Sequence, residues 1–167
     1  QHAGQISLFG QELPRRAFAV RGRIGLLAHE PLLYRDLGGR ENLRYHAGLF
    51  GIELERVQEV LADVRMERRA DDPARLLSRG MVQRLAVCRA VLHRPSLLLL
   101  DEPRANLDPA AEVLVEPLIG RASGATRVLT SHDPQAALGE ADLVLALKDG
   151  RIAYFGDPAR FGPEQVK

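Results

Sequence analysis

The sequence has a single cysteine, Cys88, and no long apolar run. One cysteine excludes an internal disulfide framework, and a lone thiol is compatible with a reducing compartment. No apolar stretch approaches the roughly 20 residues that a membrane-spanning helix needs, and no signal peptide is recognisable. The sequence therefore predicts a globular chain that is stabilised by a hydrophobic core.

An excess of charge of either sign is also missing. The 23 basic residues nearly balance the 22 acidic ones, which leaves a net charge of +1. This balance creates no field that favours nucleic acid or an anionic membrane surface, so we expect no nucleic-acid partner. With 167 residues, 46% of them hydrophobic, the chain is long enough for one domain with a sizeable core.

Short apolar strands alternate with amphipathic helices along the chain. Strands are predicted at 5–9, 23–28, 97–100, 126–133 (running into a loop), 142–147 and 151–155, and helices at 40–52, 53–66, 78–93, 110–122 and 134–141. Pro117 is expected to kink or split its helix, and the arginine-rich segment after Gly10 to be a surface loop. The last two strands predict a hairpin. Buried strands separated by helices predict an α/β fold with a mostly parallel sheet.

Two adjacent carboxylates follow the strand of four leucines in SLLLLDEP. Ligands of a parallel sheet bind beyond the carboxyl ends of its strands, where Asp101 and Glu102 are expected. The Asp101 carboxylate suits Mg²⁺, and Glu102 suits a general base that activates water. Taken alone, the pair is more typical of a solvated turn at the end of a strand.

Two further segments have polar groups that suit a phosphate. His132, in SHD, follows the next strand and is expected at the same sheet edge, although an isolated histidine is more often a surface or capping residue. In LLSRGM, Ser78 is a natural N-cap, and Gly80 allows a ligand to approach the helix start. Backbone N–H groups there suit an anion, but the same letters describe an ordinary capped helix.

In this order, the segments resemble the ATP-binding subunit of ATP-binding cassette (ABC) transporters. LLSRGM followed by QR is similar to the family's signature sequence. The resemblance implies that Ser78, Arg79, Gly80 and Met81 contact a nucleotide in trans, that is, one held by a second subunit. LLLLDEP resembles the Walker B strand, ANLDP the D-loop with Asp108, and TSHD the switch-histidine loop. His29 stands at the position of the Q-loop glutamine. The resemblance extends from about residue 5 to about residue 158.

The resemblance implies a P-loop NTPase-like fold, here incomplete, with a mostly parallel sheet and a helical subdomain. Residues 1–39 are expected to form part of the core sheet and the Q-loop region, and residues 40–75 the helical subdomain. Residues 76–167 are expected to contain the signature helix, Walker B strand, D-loop, switch histidine and C-terminal hairpin, all within one ABC ATPase domain.

The family's activity would assign a role to each matching residue. ATP and Mg²⁺ are the implied cofactors, with Glu102 and His132 catalytic and Asp101 on the metal. The implied partners are transmembrane permease subunits and a second ATP-binding subunit in a head-to-tail dimer. The implied location is cytoplasmic, on the inner face of the membrane. The loop spacing resembles exporter-type subunits, including those for haem export in cytochrome c maturation.

One element of the family is missing from the sequence. No G-x-x-x-x-G-K-[ST] phosphate loop occurs, and the two lysines, Lys148 and Lys167, lie in a predicted turn and at the terminus. We therefore expect a sequence that lacks its N-terminal part, taken from an ATPase subunit. Two alternatives stay open: a non-catalytic module that completes a partner's ATP site, and an ABC-family ATPase that is not a transporter.

Overall fold

The structure, a computed structural model, describes residues 4–131 and 133–162, which belong to two compact units that divide between Leu129 and Thr130. The first unit contains β1 (Ile6–Leu8), β2 (Gln11–Leu13), α1 (Ala17–Arg21), β3 (Ile24–Leu27), α2 (Gly39–Phe50), α3 (Leu54–Asp63), α4 (Arg79–Val91), β4 (Leu97–Asp101), α5 (Pro109–Ile119) and, ending at the boundary, β5 (Thr126–Thr130). The second unit contains α6 (Pro134–Glu140), β6 (Val144–Lys148) and β7 (Arg151–Gly156).

The sheet that positions the site has the strand order β3-β4-β5. Strands β3 and β4 run parallel, with Ile24 opposite Leu97 and Leu27 opposite Leu100. Strands β1 and β2 form a separate antiparallel pair, and β6 and β7 form the predicted hairpin in the second unit. The prediction of an α/β fold with a parallel sheet is thus confirmed.

Helix α4 lies at the centre of the core of the first unit. Its buried face packs on β3, on α5 and on the apolar faces of α2 and α3; the core includes Leu27, Leu43, Val57, Val60, Leu61, Leu85, Cys88, Leu92, Leu98 and Leu100. Burying one such leucine is worth about 1.5–3 kcal/mol. A Cβ on Gly25 of β3 would lie 2.3 Å from the Ala90 oxygen, so only glycine permits α4 to pack this closely.

One side chain of α4 and one just after its C-terminal end also bond the edge of β3 that faces away from β4. Arg89 donates from Nη2 to the Leu26 oxygen (2.7 Å), and Nε2 of His93 lies 3.0 Å from the Ile24 oxygen. Because a carbonyl only accepts, this contact requires the Nε2–H tautomer of His93. The Phe50 ring of α2 stacks on His93 with centroids 4.1 Å apart. These bonds satisfy carbonyl groups that an edge strand otherwise leaves without partners.

A buried amide joins α2 to the loop that follows β3. Asn42 is fully buried, and its Oδ1 accepts from the Tyr34 backbone N–H at 2.7 Å. Its Nδ2 donates to the Tyr34, Leu37 and Gly38 oxygens at 3.0, 3.3 and 2.9 Å. One side chain thereby holds the backbone of residues 34–38 in a fixed turn.

Two local predictions are wrong. The arginine-rich segment after Gly10 is not a loop, since β2 pairs with β1 and α1 follows it. The tight turn that makes this pairing possible has positive φ at both Phe9 (52°) and Gly10 (74°). Pro117 lies inside the last turn of α5, which is continuous from Pro109 to Ile119, so the helix is not split at the proline, and the kink stays a prediction.

The single cysteine, Cys88, is a small core residue. Its thiol is fully buried and donates to the Val60 oxygen at 3.1 Å. Burial raises the pKa of the Cys88 thiol well above its usual range. The group therefore stays protonated and packs as a small apolar side chain.

We expect Asn42→Ala to lower the free energy of unfolding by about 2 kcal/mol, because the partly buried Tyr34 N–H loses its acceptor and three backbone oxygens lose their donor. Asn42→Asp should cost more, since a carboxylate oxygen then faces carbonyl oxygens. Urea denaturation measures both losses. Arg44→Ala, an exposed change on the same helix, is the control and should stay within about 0.5 kcal/mol. Equal stabilities for Asn42→Ala and the control would contradict this role.

The His46 imidazole of α2 should make the fold sensitive to acid. Burial, followed by the positive charge of Arg89 and by His93, lowers the pKa of His46 below its ordinary value of 6.5. The unfolded chain then binds the proton more readily, so stability is fully present above about pH 6.5 and is lost as the pH falls below it. His46→Gln should reduce the slope of unfolding free energy between pH 7 and 5. Arg44→Ala, an exposed change on the same helix, is the control and should leave the slope unchanged.

Candidate functional site

The candidate site lies where β3 and β4 end side by side. Asp101 is the last residue of β4, and Glu102 follows it directly. The parallel register pairs Leu27 with Leu100, so β3 and β4 end at the same edge of the sheet, and His29 lies two residues beyond the end of β3. Asp101 and Glu102 are half-buried and His29 is exposed. The structure thus brings these three predicted residues to one edge of the sheet.

A sharp turn carries the chain away from Glu102. Glu102 has φ 49°, a left-handed conformation that is uncommon for a residue with a side chain, and so does Asn106, with φ 64°. The Ala105 N–H donates to the Glu102 oxygen at 3.0 Å, which closes the first part of the turn. Asp108 ends it by accepting from the Ala111 N–H at 2.8 Å, which makes it the N-cap of α5. Both ends of the turn are therefore fixed.

The start of α4 lies against this turn. Ser78 is the N-cap, as its sequence predicts, and its Oγ accepts from the Met81 N–H at 3.3 Å. A Cβ on Gly80 would lie 2.9 Å from the Asn106 oxygen, so glycine allows the helix and the turn to approach. Ser78 and Arg79 are exposed, whereas the Met81 side chain packs against the core. The exposed side chains and the helix start remain accessible to a ligand.

The donor set at the sheet edge suits a hard cation. Mg²⁺ commonly takes one or two carboxylates and completes its shell with water and substrate phosphates. A half-buried Asp101 at an accessible strand end matches that requirement. Among the described residues there is no cluster of three or more His, Cys, Asp or Glu side chains that could hold a metal without such additional ligands.

His132 lies outside the described residues. The neighbouring Ser131 Oγ accepts from the Asp133 N–H at 3.0 Å, which forms a local turn in the second unit. The prediction that His132 shares the sheet edge with Glu102 therefore stays a prediction.

Sequence reasoning did not assign a site role to Gln83. This side chain is only 7% exposed, and its Nε2 donates to the Pro103 oxygen at 3.2 Å, in the turn that follows Glu102. The sequence feature that could have identified Gln83 is its position: an amide side chain one turn after Gly80, on a helix face that is otherwise apolar. Such a residue needs a buried hydrogen-bond partner, although the sequence does not say which.

The described parts of the chain, 4–131 and 133–162, contain no helix that is both long and apolar enough to cross a membrane.

Comparison with known proteins gives one consistent result. A family model described as ABC transporter matches residues 1–105. The chain is 34% identical over 169 residues to Nod factor export ATP-binding protein I of Sinorhizobium fredii, covering 98% of this chain and 49% of that protein. It is also 34% identical over 158 residues to the uncharacterized ABC transporter ATP-binding protein YcbN of Bacillus subtilis, covering 90% and 50%.

A solved structure of an ATP-binding subunit of an ABC transporter has the same fold. It superposes with a TM-score of 0.83 at 28% sequence identity and covers 93% of this chain and 68% of the other. The chain spans about half the length of the curated relatives it matches.

Substitutions at Asp108 should separate helix capping from any other role. Asp108→Ala should lower the free energy of unfolding by about 1 kcal/mol, because the Ala111 N–H loses its acceptor. Asp108→Asn retains a side-chain oxygen and should change stability little. Thermal unfolding measures both. If Asp108→Ala were as stable as the unchanged protein, the capping role would be contradicted.

Proposed function

Because the chain belongs to the ABC transporter family, we propose that it forms the ATP-binding and ATP-hydrolysing part of a membrane transporter. The observation that carries the proposal is the placement of Asp101 and Glu102 at the carboxyl end of a buried parallel strand, beside the start of α4. This edge is where α/β sheets bind their ligands.

Glu102 is the proposed general base. Its carboxylate takes a proton from a water molecule whose oxygen attacks the terminal phosphorus of ATP, and the bond to ADP breaks. The half-buried position of Glu102 limits how far the carboxylate can move, which favours a fixed water geometry. We propose that His132 steadies the transferred phosphate.

Asp101 is the proposed metal residue, and His29 the proposed Q-loop contact. When Mg²⁺ is bound, it neutralises charge on the phosphate oxygens. Asp101 supplies the carboxylate for it, directly or through water, as its place at the end of β4 supports. His29, exposed two residues beyond the end of β3, has an imidazole that can accept from a metal-bound water.

The start of α4 is proposed to bind the nucleotide of a second subunit. The exposed Ser78 and Arg79 and the N–H groups near Gly80 suit a phosphate, and the Met81 N–H is adjacent. In a head-to-tail dimer these residues face the partner's ATP. Asp108, at the end of the adjoining turn, then lies near the seam between the subunits.

Residues 40–75 are proposed to form a helical subdomain that contacts transmembrane permease subunits. Exposed apolar side chains on α2 and the loop before it support this contact, since Tyr34, Tyr45 and Leu49 are 52%, 47% and 63% exposed. The proposed location is the cytoplasmic face of the membrane, through those partners.

Export is the proposed direction of transport. Its support is the names of relatives such as Nod factor export ATP-binding protein I. Those names support export as the direction of transport but do not mention haem. A haem substrate therefore rests only on the resemblance in loop spacing.

The test is the ATPase activity of the complete gene product. Glu102→Gln should lower kcat by about 10²–10⁴-fold and leave ATP affinity close to its original value, because only the base is removed. Glu55→Gln, an exposed change in α3, is the matched control and should keep the full rate. A Glu102→Gln variant that hydrolyses ATP at the original rate would contradict the proposal, and a product without hydrolysis would favour the non-catalytic module.

A further inference from the structure

We propose that Gln83 is a positioning residue that holds the turn carrying Glu102 and thereby links the start of α4 to the general base of the same chain. The inference rests on the proposed function, because Glu102 matters here as the base that activates water. It adds a residue to which the sequence reading assigned no role.

One hydrogen bond joins Gln83 to the turn. The amide of Gln83 is 7% exposed, and its Nε2 donates to the Pro103 oxygen at 3.2 Å. Pro103 has no N–H, so its carbonyl is the only backbone group through which this residue can be held. Pro103 is bonded directly to Glu102 and its ring fixes φ, so a displacement of the Pro103 carbonyl carbon is passed to the peptide between Glu102 and Pro103.

The turn has an unfavourable backbone conformation. Glu102 has left-handed backbone, which is unfavourable for a residue that has a Cβ, and Asn106 has the same conformation, which asparagine adopts more easily. Such a conformation persists only where surrounding contacts determine it. Within the turn, the Ala105 N–H bonds the Glu102 oxygen at 3.0 Å, and the Leu107 N–H bonds the Arg104 oxygen at 3.2 Å.

Helix α4 contacts this turn at two points from one face. Gly80 and Gln83 lie three residues apart, a spacing that places them on the same side of a helix. Gly80 packs against the Asn106 oxygen near the end of the turn, and Gln83 bonds Pro103 near its beginning. A movement of the helix start, where Ser78 is exposed, therefore requires the turn to move with it or the Gln83 bond to break.

A base that activates water depends strongly on position, since a displacement of about 1 Å can cost about 10²-fold in rate. Gln83→Met preserves the length and volume of the side chain and removes the donor. We expect kcat to fall about 10–100-fold with the KM for ATP nearly unchanged, because binding groups are not altered. In a Glu102→Gln background the same change should have little further effect, since the group that it positions is absent.

The matched control is Val91→Ala. Val91 is buried in the same helix and remote in sequence from Gly80 and Gln83, so its truncation tests whether lost stability alone lowers the rate. It should lower the unfolding midpoint and retain kcat. An equal loss of kcat in Val91→Ala and Gln83→Met would contradict a positioning role, as would an additive effect with Glu102→Gln.

Amide hydrogen exchange in the 167-residue chain gives a readout that does not require activity. Gln83→Met should reduce protection at the Ala105 and Leu107 amides more than Val91→Ala does. Unchanged protection there overturns the proposal whether or not ATP is hydrolysed. An unmodified protein without Glu102-dependent hydrolysis overturns the proposed function instead, so the two failures are distinguishable.

Discussion

The close contact between α4 and β3 at Gly25 determines where the rest of the first unit lies. A Cβ at this position would meet the Ala90 oxygen at 2.3 Å, the Leu98 side chain at 2.7 Å and the Pro95 ring at 2.8 Å. With glycine there, the helix backbone lies directly on the strand. Arg89 in the last turn of α4 and His93 just beyond its C-terminal end can then reach two outward carbonyls of β3. The helix replaces a neighbouring strand along that edge.

The same contact fixes the other end of α4 relative to the candidate site. A rigid helix of 13 residues transmits its placement over its whole length, about 1.5 Å per residue. Its first turn therefore arrives at the end of β4, where Gly80 meets Asn106. The left-handed conformations of Glu102 and Asn106 are tolerated because the helix, the Asp108 cap and the turn's own hydrogen bonds determine them together.

Periodicity predicted the parts of the fold that depend on local pattern. The sequence shows β4 as a run of leucines and α3 as apolar residues at helical spacing. It shows the start of α4 as a serine that suits an N-cap. The β1–β2 pair was missed because β2 has few apolar residues and owes its existence to a turn with positive φ at Phe9. Asp101 and Glu102 could be placed at a strand end from sequence, whereas the turn that orients Glu102 could not.

Two buried amides explain why those loops escape sequence reasoning. The loop after β3 is held by Asn42 from α2, and the turn after β4 by Gln83 from α4, so each loop leaving the parallel strands is held by one neutral side chain. Their partners are backbone groups, which nearly every residue has, so the residue types in the sequence do not reveal which groups are bonded. A charged side chain could make similar bonds, but burying it would be costly and its field would act on Asp101 and Glu102. Neutral amides hold both loops and leave the electrostatics of the sheet edge to the carboxylates.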